Sequence, residues 1–169
     1  FLLYGSALLY GFAGSVNYVT IQAVMLADAS RSSMLVIGGL FVLLGLLFKV
    51  GAAPFHQWTP DVYQGAPTAI TAFMAAATKV AAFVALLRVT YIALSGLQWD
   101  LQLVVWAIAA ITMVVGTVVG VAQSDIKRML AYSSIAHAGF LLLGTMATSH
   151  AGLSATLLYL SSYAFTTLG

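Results

Sequence analysis

Long apolar runs separated by short polar clusters dominate this chain, and most of the runs are longer than a buried strand. Phe1 to Phe12 reads as the end of a helix closed by Gly11 and Gly14. Asn17 to Ala27 is too short to cross a bilayer, and Tyr18, Ile21 and Met25 recur at nearly helical spacing, which predicts an interfacial helix. Asp28, Ser30, Arg31, Ser32 and Ser33 then form a polar connection. A membrane helix is expected from about Met34 to about Ala52, broken where Pro54 removes a backbone donor. The stretch from Pro54 to Pro67 holds all three prolines with His56, Trp58, Asp61 and Gly65, and is the least regular part of the chain.

The next helix, from about Pro67 to Tyr91, starts on a proline whose missing N–H costs little in a first turn. Its body carries Ala75, Ala76, Ala77, Ala81 and Ala82, small residues suited to close packing in lipid. Gly96 to Asp100 is a turn with Trp99 at an interface. A helix from about Leu101 to Ala122, a charged link from Gln123 to Arg128, a helix from about Met129 to Ala147 and a last one beginning near Ala151 follow. The expected fold is all-α: a polytopic transmembrane bundle of about six helices with one discontinuous helix near Pro54. Residues 1–169 form a single transmembrane domain, without a clear internal repeat or a low-complexity linker.

Composition sharpens this. Of 169 residues 62% are hydrophobic and 6% charged, against roughly 25% charged in an average soluble domain. So little charge cannot cover a water-soluble fold. The chain opens on Phe1, and the stretch Leu157 to Gly169 is apolar to its end, so the segment reads as an internal piece truncated at both ends. No signal-peptide pattern precedes the first helix. Cysteine is absent, which excludes disulfides and thiolate-held metal within these residues. The net charge of +2 comes from six cations against four aspartates, too few for a nucleic-acid footprint, and the expected surroundings are lipid. Arg31 and Arg88 fall on one side by helix alternation and Lys127 and Arg128 on the other, so charge alone does not orient the chain.

Two lysines interrupt apolar runs. Lys79 lies about 18 Å along its helix from Pro67, near the bilayer midplane, and Lys49 about 22 Å beyond Met34 on an antiparallel neighbour. The two ammonium groups are expected to share one polar layer. A charged lysine at that depth costs about 2.5–3.5 kcal/mol on insertion scales, so it is paired, hydrated or neutral. Burial makes such an amine able to load and release a proton. The alternative is that each lysine snorkels or fastens helices through carbonyls. None of Asp28, Asp61, Asp100 and Asp125 is placed to neutralise them, so a carboxylate partner belongs outside this sequence, on another subunit, or nowhere.

His137 is a third deep titratable group, a candidate relay or a neutral histidine bonded to a neighbouring helix. Ser133, Ser134, Thr78 and Tyr132 could line a water chain, although such hydroxyls often bond back to their own helix. Pro54 either marks a helix broken inside the membrane, as at many transporter ion sites, or ends one at the interface. His56, Trp58, Asp61 and Tyr63 form a polar loop that could cap or gate a pathway. His56 and Asp61 make a poor metal signature, Trp58 and Trp99 read as interfacial anchors, and Asp125 to Arg128 reads as a solvated link.

The run Lys49-Val50-Gly51-Ala52-Ala53-Pro54-Phe55-His56-Gln57-Trp58-Thr59-Pro60-Asp61-Val62-Tyr63-Gln64-Gly65-Ala66-Pro67-Thr68, followed by Lys79, resembles the antiporter-like membrane subunits of respiratory complex I. Tyr63 to Pro67 is closest to the subunit N type, the mitochondrial subunit 2 type. Phe1 to Gly11 and Ser124 to His137 agree, so the likeness covers essentially the whole chain. The resemblance implies a fold of about fourteen helices with inverted repeats, of which this chain holds part of each. It also implies a proton-translocating NADH:quinone oxidoreductase subunit, an enzyme only within its complex.

By the same likeness Lys49 matches the lysine on a broken helix, Lys79 the lysine linking input to output along a polar axis, and His137, more weakly, a relay position. The carboxylate partner of Lys49 would lie on the helix just before Phe1, and a distal lysine beyond Gly169. NAD, flavin and iron–sulfur clusters would sit in partner subunits, quinone would be the substrate of the whole complex, and this chain would hold no cofactor or redox centre. Other membrane subunits would be its partners. The membrane would be the bacterial inner (plasma) membrane or an organelle inner membrane, with Lys127 and Arg128 on the cytoplasmic side. A Mrp-type cation/proton antiporter without a redox partner, and a structural membrane subunit, are the alternatives.

Overall fold

The computed structural model describes residues 1–27, 33–147 and 149–168. The expected polar connection of Asp28, Ser30, Arg31 and Ser32 lies outside them. Every regular element among the described residues is helical: α1 (Leu2–Ala13), α2 (Tyr18–Ala27), α3 (Ser33–Val50), α4 (Trp58–Gly65), α5 (Thr68–Phe73), α6 (Lys79–Arg88), α7 (Gln98–Val121), α8 (Ile126–Thr145) and α9 (His150–Leu168). A π-helical turn, Met74–Thr78, joins α5 to α6 and a second, Val89–Ala93, extends α6, giving one continuous span, Thr68–Ala93.

Among the described residues, Ser33–Val50, Thr68–Ala93 and Ser95–Val121 are long and apolar enough to cross a membrane. α8 and α9 have 20 and 19 residues but are diluted by hydroxyl-bearing side chains and His137, and these gather on a shared cavity. Large apolar side chains such as Leu103, Val118 and Phe165 stand exposed on the outside. Such a surface suits lipid or further protein, because water would penalise it.

Small residues set the helix contacts. A Cβ on Gly116 would lie 2.8 Å from Ala136 Cα, and one on Gly139 would lie 2.9 Å from Ala109 O. These contacts run antiparallel and bring the backbones of α7 and α8 together along a Gly116-x-x-x-Gly120 stripe. α1 and α3 pair in the same way: Gly5 lies against Gly38 and Val42, and Gly11 faces Met34. α1 ends at Gly14, whose φ of 66° lets its N–H reach Tyr10 O; Gly11, expected to share that role, is inside the helix. α8 starts a turn earlier than its apolar run, because Asp125 caps it and accepts the Arg128 N–H.

Among the described residues, the main apolar core almost fully encloses Leu43, Leu47, Phe83, Leu86, Leu94 and Leu142, and a smaller cluster forms around Tyr63, Ala75 and Ala131. α2 is the short helix expected from its spacing. It turns Ile21 and Met25 inward and packs on the end of the Thr68–Ala93 span. Gln22 donates to Ser95 Oγ at 3.0 Å, and the Arg88 guanidinium lies over the Tyr18 ring. At the opposite end α4 docks on the start of α8. Helix alternation read from the sequence put Lys127 and Arg128 on that end, where the fold has them.

Candidate functional site

The discontinuity after α3 comes first, since it exposes backbone where a membrane interior would not tolerate it. α3 ends at Val50, one residue after Lys49. Gly51, with φ 75°, adopts the left-handed conformation; its N–H bonds Phe48 O and the Ala52 N–H bonds Leu47 O, the paired bonds of a Schellman cap. Gly51 therefore terminates the helix; Pro54, expected to break it, follows three positions later. The remaining groups find side chains. Thr112, wholly buried on α7, accepts the Ala53 N–H at 3.0 Å. Trp58 Nε1 donates to Phe48 O at 3.1 Å while its ring stacks on Phe48. Trp58, expected to be an interfacial anchor, thus also closes the broken helix.

The second half of the break, α4, is held from the far side. Arg128 donates through Nη1 to Asp61 Oδ1 at 2.6 Å and to Gln64 Oε1 at 2.9 Å. Lys127 Nζ donates to Ala66 O at 3.0 Å. The charged link read from sequence as merely solvated is in fact the dock for α4. Asp61 serves this pair, while His56 packs edge-on against Tyr132. Inside the break, His56 Nδ1 and Thr59 Oγ1 are buried without a hydrogen-bond partner among the described residues.

Lys79 stands at the centre of the bundle, 3% exposed, immediately after a π turn. π turns widen a helix locally and recur at functional positions. Side chains tilt toward a helix N-terminus, so the amine is directed to the end where α4 and α8 meet. Its Nζ donates to Ser134 O at 2.6 Å and to Ser134 Oγ, and sits 5.7 Å from the Tyr163 ring centre. Ser134 Oγ and Tyr163 Oη are 2.7 Å apart, and Tyr163 Oη donates to Ala75 O at 3.3 Å. No carboxylate neutralises Lys79 among the described residues. Its partners are a carbonyl, a hydroxyl and an aromatic face.

Ala75, Ser134 and Tyr163, though not Lys79 itself, line a cavity of about 570 Å³ between α4, α5, α8 and α9. Lys127 is at one end of its lining and Ser134 and His137 are deeper; Tyr63, Thr68, Thr71, Ser133, Tyr159 and Tyr163 also line it. The space is large enough for several waters and has hydroxyls to hold them. His137 Nδ1 pairs with Tyr159 Oη at 2.6 Å, and its ring lies 5.3 Å from that of Tyr163. His137 therefore belongs to the Lys79 cluster.

Lys49 does not join that cluster. It occupies the last turn of α3, where the helix dipole favours a cation. Counted from the end of the bundle that holds α2, Lys49 and Lys79 stand at about 24 and about 21 Å along their helices, a similar height. Their faces differ, however: Lys79 is buried and Lys49 is exposed. α1 runs antiparallel beside α3 with Leu2 opposite Gly45, which leaves Lys49 a turn beyond the first residue of α1.

Thr78, a candidate for a water chain, bonds back to Met74 O at 2.5 Å. Ser134, another of those candidates, is bonded to Lys79 and Tyr163. Thr112, Tyr159 and Tyr163 did not stand out in the sequence. The two tyrosines could have been found from the stripe Tyr159-Ser162-Tyr163-Thr166-Thr167, a polar face at helical spacing on an otherwise apolar segment. A lone threonine inside an apolar helix carries no comparable signal.

Against known proteins, the whole of residues 1–169 matches the family described as NADH:quinone oxidoreductase/Mrp antiporter, TM. NADH-quinone oxidoreductase subunit N 3 of Streptomyces griseus is 59% identical over all of this chain and 32% of that protein. Subunit N of Mycobacterium tuberculosis is 59% identical, over all of this chain and 32% of that protein. The chain thus spans about a third of the length of the curated relatives it matches. Among solved structures, the Mrp complex of Dietzia superposes with a TM-score of 0.89 at 26% identity, covering 99% of this chain and 30% of that one. Respiratory complex I of Thermus thermophilus superposes with a TM-score of 0.71 at 38% identity, covering 98% and 35%.

Proposed function

This chain belongs to the NADH:quinone oxidoreductase/Mrp antiporter transmembrane family, and from that premise we propose that it moves protons through the membrane arm of an NADH:quinone oxidoreductase. The observation that carries the reading is Lys79: a buried amine at mid-span, held by neutral groups, bonded to Ser134, which lines a cavity bearing several hydroxyls. A neutral cradle leaves both states of the amine accessible, whereas a bonded carboxylate would lock it as a cation.

In this reading Lys79 takes up or releases a proton through the cavity, with His137 and Tyr159 as a branch of the same hydroxyl network. Lys49 is a second loading site at similar height. In the longer relatives, chain that precedes this segment would continue α1 along Lys49, and the carboxylate implied by the family resemblance would meet it there. Redox chemistry belongs to partner subunits that carry NAD, flavin and iron–sulfur clusters, with quinone as the acceptor. The complex would reside in the bacterial inner (plasma) membrane with other membrane subunits as its neighbours.

A cation/proton antiporter without redox partners is the second reading, supported by the superposition on the Mrp complex. The identities favour the oxidoreductase branch, since the subunit N relatives reach 59% and the Mrp chain 26%. The test uses the full-length subunit in its assembled complex. Lys79→Ala should lower NADH-driven proton uptake into vesicles by roughly tenfold or more, with ferricyanide reduction by the peripheral arm retained. Undiminished proton uptake in that variant defeats the proposal.

A further inference from the structure

Thr68, Thr71, Ser133, Ser134, Ser162 and Thr166 bring hydroxyl-bearing side chains to the cavity. Some of these hydroxyls give their proton to backbone, Thr71 to Tyr63 O at 3.0 Å and Thr166 to Ser162 O at 2.8 Å. Their oxygens keep lone pairs to offer. Oxygens of that kind are what hard cations bind, so the lining by itself would suit Na+ as readily as water. Against this stands its charge. Among the described residues that line the cavity, Lys127 alone carries a formal charge with histidine neutral, and none is a carboxylate.

The Lys127 ammonium is fixed in place. Its Nζ donates to Ala66 O at 3.0 Å, and Ala66 caps the C-terminal end of α4, where the helix dipole favours a cation. A second positive charge, on Lys79, lies just behind Ser134, seven residues and about 10 Å further along α8. While Lys79 is loaded, both charges repel a metal ion in the space between them. When Lys79 gives up its proton that repulsion halves, and Ser134 O and Oγ lose the donor they share. Two oxygens are then open to a cation at the very site the next proton must reach.

We propose that Lys127 is the ion-selectivity residue of this cavity: its fixed charge keeps Na+ and K+ from the oxygens that Lys79 vacates each time it becomes neutral. Lys127 acts through distance alone, so the exclusion holds from whichever side a cation enters. A proton meets the same repulsion but gains an N–H bond on Lys79, which a metal ion cannot form. The charge therefore discriminates between the two kinds of cation without closing any passage.

This inference rests on Lys79 as the proton carrier, and the experiment keeps the two claims apart. NADH-driven proton uptake is measured in vesicles holding the assembled complex with its full-length subunit, in Na+ and in choline at equal ionic strength, so that screening is the same. Wild type and Lys127→Arg should take up protons equally in the two salts. Lys127→Gln should be severalfold slower in Na+ than in choline, because losing a unit charge about 10 Å away, at an effective dielectric constant of about 20, raises the affinity for Na+ about tenfold. A loss of α4 docking alone slows uptake alike in both salts. Thr68→Glu reaches the same end without altering Lys127: it lines the cavity two residues past Ala66, and its carboxylate offsets the amine, so it too should become Na+-sensitive. Equal uptake in the two salts by Lys127→Gln, or a wild type as Na+-sensitive as that variant, overturns the exclusion and leaves Lys79 in place. Undiminished uptake in Lys79→Ala overturns the underlying reading. If Lys127→Gln does not assemble, Thr68→Glu decides, and equal uptake there overturns the exclusion.

Discussion

Thr112→Val tests how the fold tolerates a helix broken in its interior. Valine is nearly isosteric and fills the same wholly buried position, but it has no oxygen to accept the Ala53 N–H at 3.0 Å. The Thr112 bond back to Ile108 O is also lost, yet that carbonyl still lies within a helix and is not orphaned. Leaving a buried donor unsatisfied costs about 1–3 kcal/mol. Hydrogen bonds between membrane helices average only about 0.6 kcal/mol, because alternative partners exist in the unfolded state. Between these two figures, a loss of about 1–2 kcal/mol is expected, which is a factor of ~5–30 in opening. Hydrogen–deuterium exchange on peptides spanning residues 50–57 of the full-length subunit should report it directly. Thr112→Ser is the control: it removes a buried methyl, worth about 0.8 kcal/mol, but keeps the acceptor. Exchange should be faster in Thr112→Val and close to normal in Thr112→Ser. Equal exchange in the two variants would refute the assignment of Thr112 to the break.

Two other predictions concern how the break is held. Gly51→Ala should lower the thermal midpoint of the solubilised subunit, at a cost of about 1–2 kcal/mol for an L-residue in the left-handed region. The new Cβ would also press on Thr59 Oγ1 at 2.8 Å, so an unchanged melt would argue against the cap. The Asp61–Arg128 pair is exposed on the Asp61 side, where a single ion pair contributes little. Asp61→Asn should consequently be mild, whereas Asp61→Arg sets like charges together and should reduce the assembled complex seen on native gels. Adding Arg128→Asp should restore it. A double variant no better than Asp61→Arg alone would show that α4 is docked by other contacts.

Much of the fold was legible because its causes are local. Apolar run lengths, the glycine and proline punctuation and the scarcity of charge each constrain a short window of chain, and they led to an all-helical membrane bundle with an interruption near Pro54. Even there the responsible residue was misread: proline is the stronger local signal, but a glycine free to adopt positive φ acts earlier and completes the Schellman bonds. Boundaries moved for similar reasons, as at Asp125, whose capping adds a turn to α8 that hydrophobicity does not announce.

The site divides in the same way. Sequence alone determined that Lys49 and Lys79 occupy apolar helices at matching height, because depth follows from counting residues along a helix of fixed rise. Which face each amine takes was decided only by tertiary structure: Lys79 turns inward to Ser134 and Tyr163, and Lys49 turns outward. The partners of Lys79 come from α8 and α9, those of the break from α7 and α8, and all lie far away along the chain. Their meeting depends on helix rotation and pairing, set by where small residues such as Gly116 and Gly139 let two backbones approach. Those properties belong to pairs of helices, and no single stretch of sequence carries them.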